Sequence, residues 1–158
     1  MDFRPEGIPP EDLARLLEMV PQLAIPPSRL VGVVAVSQVA EVAGVTVELL
    51  AIEVREGGAL ITWRARADRA VGLLIPRVSI TDDQGTEYRA FGESGGGDER
   101  CWSGEIAVIP PPPPGVTLTV DIASLGANEQ MRMPGWMPME PVSGPWTFTV
   151  PTRDIARR

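Results

Sequence analysis

Residues Gly44 to Ala67 read GVTVELLAIEVREGGALITWRARA, and this stretch decides the fold. Apolar residues alternate with polar ones on both sides of a turn at Glu56-Gly57-Gly58. A period of two places successive side chains on opposite faces of a strand, so the stretch predicts a β-hairpin with one apolar face. The alternation slips by one residue at Leu49-Leu50, which predicts a β-bulge.

Similar alternation on both sides of this hairpin predicts further strands. They are expected at Leu30–Val42, Arg77–Thr81, Glu87–Phe91, Cys101–Ile109, Val116–Ala123 and Gly144–Val150, with a short edge segment at Ala70–Ile75. Many short strands separated by turns predict an all-β fold, an antiparallel β-sandwich. Its core is expected around Trp63, Val120 and Phe148.

The connections between these strands fall into two kinds. Glycine-rich Gly92–Arg100 is expected to be an exposed, flexible loop. The five prolines Pro110–Pro114 lack amide donors and favour an extended conformation, so they predict a rigid crossover between two strands. Docking of this run in another domain is the alternative.

Three segments make up the predicted organisation: an N-terminal helix and extended connector over residues 1–29, the β-sandwich domain over 30–151, and a tail over 152–158. Pro9-Pro10-Glu11-Asp12 suits a helix start, and an apolar stripe follows from Leu13 to Val20. This helix is expected to dock on the sheet; contact with a partner is the alternative.

Composition excludes several functions. The net charge is −7, and all 14 basic residues are arginine, so nucleic-acid binding is disfavoured. The sequence contains no histidine, which removes histidine-based catalytic triads and the commonest metal ligand. The single cysteine, Cys101, cannot form an internal disulfide and is expected to be a small buried residue. No cofactor is predicted.

Localisation is expected to be cytoplasmic. The N-terminal residues Met1–Glu6 are acidic and interrupted by proline, unlike a targeting signal. No apolar run approaches the ~20 residues that a membrane-spanning helix requires. We therefore expect no association with a membrane.

Two charged groups are candidate ion sites. Asp82, Asp83 and Glu87 flank a turn and offer oxygen ligands for calcium, although aspartate and glycine are also ordinary turn residues. Arg64 and Arg66 share one exposed strand face near Arg69. A solvated face with ion pairs to glutamates, Glu48 among them, is the favoured interpretation of this group, and an anion site is the alternative.

The segment Asn128–Pro145 combines prolines with an unusually apolar surface. Its candidate partner-binding residues are Met131, Met133, Trp136, Met137 and Met139. Methionine and tryptophan suit adaptable contacts with another protein, while folding back as a lid over the sheets is an equal alternative.

The whole pattern resembles bacterial immunoglobulin-like domains of unknown function, which are found attached to anti-sigma factors and surface lipoproteins. The likeness rests on Gly44–Val47, Ile61–Trp63, Ile80–Tyr88 and Gly144–Val150, and covers roughly Val31 to Val150. It implies an immunoglobulin-like sandwich and carries no catalytic motif.

Three functions compete at this point. The favoured one is a non-catalytic interaction domain that binds another, unidentified protein, with homo-oligomerisation left open. The second is a glycan- or small-ligand-binding domain in which Trp102, Trp136 or Trp146 stacks on the ligand. The third is a hydrolase with paired carboxylates drawn from Asp82, Asp83, Glu87, Asp98 and Glu99.

Overall fold

A computed structural model describes residues 28–71, 75–98, 100–126 and 141–152. Three predicted features lie outside the described residues: the N-terminal helix, the methionine- and tryptophan-rich segment Met131–Met139, and residues 153–158. Of the predicted edge segment, the described residues Ala70, Val71 and Ile75 are not in a strand.

The described residues form eight antiparallel strands, with no helix among them. The strands are β1 (Leu30–Val42), β2 (Val45–Arg55), β3 (Gly58–Ala67), β4 (Pro76–Asp82), β5 (Glu87–Gly97), β6 (Cys101–Ile109), β7 (Thr117–Leu125) and β8 (Val142–Pro151). The all-β, antiparallel class that the alternation predicted is therefore confirmed.

The strand order is continuous, β1-β2-β3-β6-β5-β4-β7-β8, instead of being divided between two separate sheets. Strand β5 causes this continuity, because Glu87 and Tyr88 pair with β4 while the residues from Arg89 onward pair with β6. The sheet curls until its edge strands β1 and β8 contact each other. There Gln38 Nε2 donates a hydrogen bond of 2.7 Å to the carbonyl of Thr149.

The predicted β2–β3 hairpin and its bulge are confirmed, while Gly58, expected in the turn, belongs to β3. Glu56 and Gly57 form its turn, and the pairing shifts between Leu49 and Ala51, where the sequence predicted a bulge. The preceding turn joins β1 to β2 through Ala43 and Gly44, whose φ angles of 53° and 75° are those of a two-residue hairpin turn.

One apolar core fills the space inside the curled sheet. Trp63, Val120 and Phe148 are 1%, 0% and 2% exposed, as the alternation predicted. Trp146 is also fully buried, and its Nε1 donates a hydrogen bond of 2.9 Å to the carbonyl of Val45. This buried bond joins β8, the last strand of the order, to β2, the neighbour of the first strand.

Two expectations, the loop at Gly92–Arg100 and the burial of Cys101, are wrong. Gly92–Arg100 was expected to be a loop, but most of it belongs to β5. Its backbone pairs with β6, and this pairing outweighs the weak preference of glycine for strands. Cys101 is exposed, because it lies on the outer face of β6. Thr152, just after β8, is buried, and its Oγ1 donates to the carbonyl of Val116 at 2.7 Å. The predicted crossover Pro110–Pro114 does connect β6 to β7.

The two buried tryptophans give a matched test of the core. Trp63 Nε1 has no hydrogen-bond partner among the described residues, whereas Trp146 Nε1 bonds to Val45. Replacing either with phenylalanine removes a similar volume, but only Trp146→Phe also removes a hydrogen bond. We expect Trp146→Phe to lower the free energy of unfolding by about 1 to 3 kcal/mol more than Trp63→Phe, measured by urea denaturation. An equal loss in both variants would contradict this assignment.

Candidate functional site

A groove of about 570 Å³ lies on the outer face of the curled sheet, across one end of the strands β1, β2, β3, β6 and β5. Its lining residues are Val39, Thr46, Glu48, Arg64, Ala65, Arg66, Gly96, Gly97, Asp98, Cys101, Trp102 and Ser103. We call it the arginine groove. Its volume lies within the range of ligand-binding sites in proteins.

Strand register brings the floor of this groove together. Glu48, Arg64, Ser103 and Gly96 are consecutive partners across β2, β3, β6 and β5. One pair further along, Thr46, Arg66 and Cys101 face one another in the same way. Residues at paired positions share a face, so these side chains form two adjacent rows on the outside of the sheet.

Glycine keeps the groove open. A Cβ atom at Gly96 would meet no heavy atom within 4 Å, so this position opens into free space. At Gly95 a Cβ atom would lie 2.6 Å from Trp102 Nε1, and at Gly97 it would overlap the carbonyl of Cys101. Packing therefore requires glycine at positions 95 and 97, whereas glycine at 96 serves only to leave the groove empty.

The two arginines of the floor differ in their surroundings. Arg64 Nε donates to Glu48 Oε2 at 2.6 Å, which confirms the predicted ion pair across the hairpin. Arg66 forms no salt bridge to a carboxylate of the described residues. Its cross-strand neighbours, Thr46 and Cys101, are uncharged. Arg69 lies apart and bonds to Asp68 and to the carbonyl of Ala43.

The turn between β5 and β6 closes one end of the groove. Asp98 Oδ1 accepts hydrogen bonds of 2.8 Å from the amides of Arg100 and Cys101. These two bonds lower the pKa of Asp98 below its usual value, since they stabilise the charged form. Asp98 therefore fixes the turn that carries Cys101 into the groove.

The proposed calcium ligands do not form a cluster. Asp82 Oδ1 accepts hydrogen bonds from the amides of Gln84 and Thr86 at 2.9 Å, and Asp82 Oδ2 accepts one from the Tyr88 hydroxyl at 2.6 Å. Asp83 Oδ1 instead accepts from the amide of Thr117. Among the described ranges there is no group of three or more cysteine, aspartate or glutamate residues able to hold a metal.

The Asp82–Tyr88 bond shifts both pKa values. The hydrogen bond from Tyr88, with those from the Thr86 and Gln84 amides, lowers the pKa of Asp82 although burial opposes the shift. Burial raises the pKa of Tyr88, and the hydrogen bond and charge of Asp82 raise it further. The buried hydrogen bond between Tyr88 and Asp82 therefore stabilises the β4–β5 turn.

The other tryptophans and acids offered as ligand contacts are dispersed. Trp146 is fully buried and cannot stack on a ligand, whereas Trp102 is half-buried beside the groove. Trp136 lies outside the described residues, as does Glu99. Sequence reasoning singled out Arg64 and Arg66 but missed Gly96, Cys101 and Ser103. Extending the alternation of β6 back to Cys101 would have placed Cys101 and Ser103 on the outer face.

Comparisons with known proteins give no family. No family model and no curated protein matches this sequence. Among solved structures, the chain is similar to the conserved domain protein from Bacillus anthracis, with a TM-score of 0.48 and 11% sequence identity. The match covers 78% of this chain and 47% of that one, so the chain spans about half of that protein's length.

The described ranges contain no helix that is long and apolar enough to cross a membrane.

Glycine substitutions test whether the groove is open at position 96. Gly96→Val should keep or raise the free energy of unfolding, by up to about 1 kcal/mol, because valine suits a strand and meets no neighbour. Gly95→Val and Gly97→Val should each lower it by about 1 to 3 kcal/mol through steric overlap. Urea denaturation of the three variants measures this, and equal losses would contradict the described β5–β6 packing.

The Tyr88→Phe variant tests the β4–β5 turn. A carboxyl group whose pKa is lowered in the folded state stabilises the fold above its unfolded pKa and loses this effect as the pH falls through the folded value. We expect Tyr88→Phe to be less stable than the native chain at pH 7. This difference should shrink as the pH falls below about 4, the ordinary pKa of an aspartate in the unfolded chain, towards the lower pKa of Asp82 in the folded protein. Denaturation curves from pH 7 to pH 2 measure it, and a constant difference would refute the role of Asp82.

Proposed function

We propose that this protein is a non-catalytic interaction domain that binds a segment of another protein in the arginine groove. The observation that carries the proposal is an open groove with an arginine, Arg66, that has no carboxylate partner among the described residues. Arginine and tryptophan are enriched where proteins bind each other, and both line this groove.

The chemistry of the described side chains favours binding over catalysis. The groups with shifted pKa values, Asp82, Tyr88 and Asp98, each form hydrogen bonds that hold a turn. A hydrolase would need two carboxyl groups free to exchange protons with a substrate. The groove instead presents Glu48 in an ion pair and Asp98 bonded to two amides.

Two further assignments belong to this proposal. We place the domain among immunoglobulin-like folds, which its antiparallel strands and single core support. We also place it in the cytoplasm, since an exposed, unpaired thiol such as that of Cys101 suits a reducing compartment. The segment Met131–Met139 remains a second candidate contact surface.

A glycan- or small-ligand-binding function is the alternative. It is favoured by Trp102, a half-buried tryptophan among the residues that line the groove.

Site-specific photo-crosslinking tests the proposal. Val39 is 61% exposed at the rim of the groove, so a photoreactive amino acid there should reach a bound partner. The matched control carries the same amino acid at Thr119, an exposed position on β7 outside the groove lining. In lysate of the source organism, we expect a discrete crosslinked protein from position 39 alone. It should disappear when Gly96→Val fills the groove.

Three outcomes would overturn the proposal: identical products from positions 39 and 119, products unaffected by Gly96→Val, or a crosslinked dimer of this chain as the sole product.

A further inference from the structure

We propose that the arginine groove recognises a carboxylate side chain within an extended peptide segment, and that Arg66 is the residue that binds it. This inference rests on the proposed function, because it specifies the chemical class of partner that the groove accepts.

Arg66 is suited to binding a carboxylate. Its side chain is exposed on β3 between the uncharged neighbours Thr46 and Cys101. A guanidinium group presents its N–H donors in a planar fork that matches the two oxygens of a carboxylate. A partner's carboxylate would therefore find an arginine whose donors no described carboxylate occupies.

The charges of the groove favour a single negative charge in the ligand. Arg64 is already paired with Glu48, and Asp98 Oδ1 is bonded to two backbone amides, so Arg66 is the arginine of the lining without a described carboxylate partner. A phosphate dianion would bring two negative charges near Glu48 and Asp98, whereas a carboxylate brings one. A nucleic-acid backbone would additionally meet a protein of net charge −7.

The shape of the groove suits an extended chain with apolar residues beside the acid. Val39 on β1 provides exposed apolar surface at the rim of the groove, whereas the Trp102 side chain packs against the core from the inner face of β6. The hydroxyl groups of Thr46 and Ser103 can bond to peptide amides and carbonyls. At Gly96 no side chain stands between the ligand and the sheet.

Cys101 provides a reporter that requires no substitution. It is the sole cysteine of the sequence, it is exposed, and it faces Arg66 across β6 and β3. A ligand on Arg66 should shield its thiol from alkylation. The rate of iodoacetamide labelling, followed by mass spectrometry of the whole chain, therefore measures occupancy of the groove.

The probes are two capped pentapeptides with a central glutamate or a central glutamine, each flanked by valine and threonine. We expect the glutamate peptide to slow alkylation of Cys101 at concentrations at least about tenfold lower than the glutamine peptide, because ionic hydrogen bonds are roughly twice as strong as neutral ones. Arg66→Gln should abolish this preference. Arg77→Gln, which removes the same charge from an exposed position on β4, should retain it.

If Arg66→Gln has the same free energy of unfolding in urea as the native chain, its lost preference for the glutamate peptide is a loss of binding and not of folding. The inference is overturned if both peptides protect equally, if Arg66→Gln keeps the preference, or if inorganic phosphate or a single-stranded oligonucleotide protects at lower concentration than the glutamate peptide. The two proposals fail separately. Equal protection by both peptides, with crosslinking at Val39 still sensitive to Gly96→Val, would refute only the carboxylate specificity.

Discussion

The hydrogen bond from Trp146 to the carbonyl of Val45 is the interaction on which the rest of the structure depends. It connects β8 to β2 through the interior, although these strands are far apart in the order of the sheet. A buried donor without a partner would cost more free energy than the bond itself contributes, so the indole and the carbonyl specify each other. Together with Gln38 and Thr149 at the edge strands, this contact holds the sheet in its curled form.

The arginine groove lies on the outside of the closed sheet. The inner face of the described strands carries the buried side chains of the apolar core. On the outer face of β5, Gly96 has no side chain, and the arginine groove is open at this position. Gly95 and Gly97 are thus a packing requirement of the β5–β6 pair, while Gly96 between them opens the site.

Sequence periodicity predicted the parts of the fold that depend on local burial. The β2–β3 hairpin, its bulge and the inward side chains of β8 follow from alternation, because one face of each strand must be apolar. The first half of strand β5, Glu87–Phe91, was predicted in the same way. Its second half was not, since Gly95–Gly97 have no side chains to alternate and form a strand only through pairing with β6. The bend that gives β5 partners on both sides has no sequence signal of its own.

The site was predictable only in part for a related reason. The predicted hairpin alone was enough to place Arg64 and Arg66 on one face and to suggest Glu48 as an ion-pair partner. The floor is completed by Ser103, Cys101 and Gly96. Their positions depend on the order and register of β6 and β5, which are set by pairing between strands far apart in the sequence. Exposure of Cys101 depends on the same register.

NMR of the arginine Nε–H groups tests the central claim most directly, because each of the 14 arginines reports on its own surroundings. During titration with a glutamate-containing peptide, the account predicts that the Arg66 signal shifts most, that Arg64 shifts less, and that Arg77 stays in place. Shifts concentrated on arginines outside the groove, or none at saturating peptide, would contradict it.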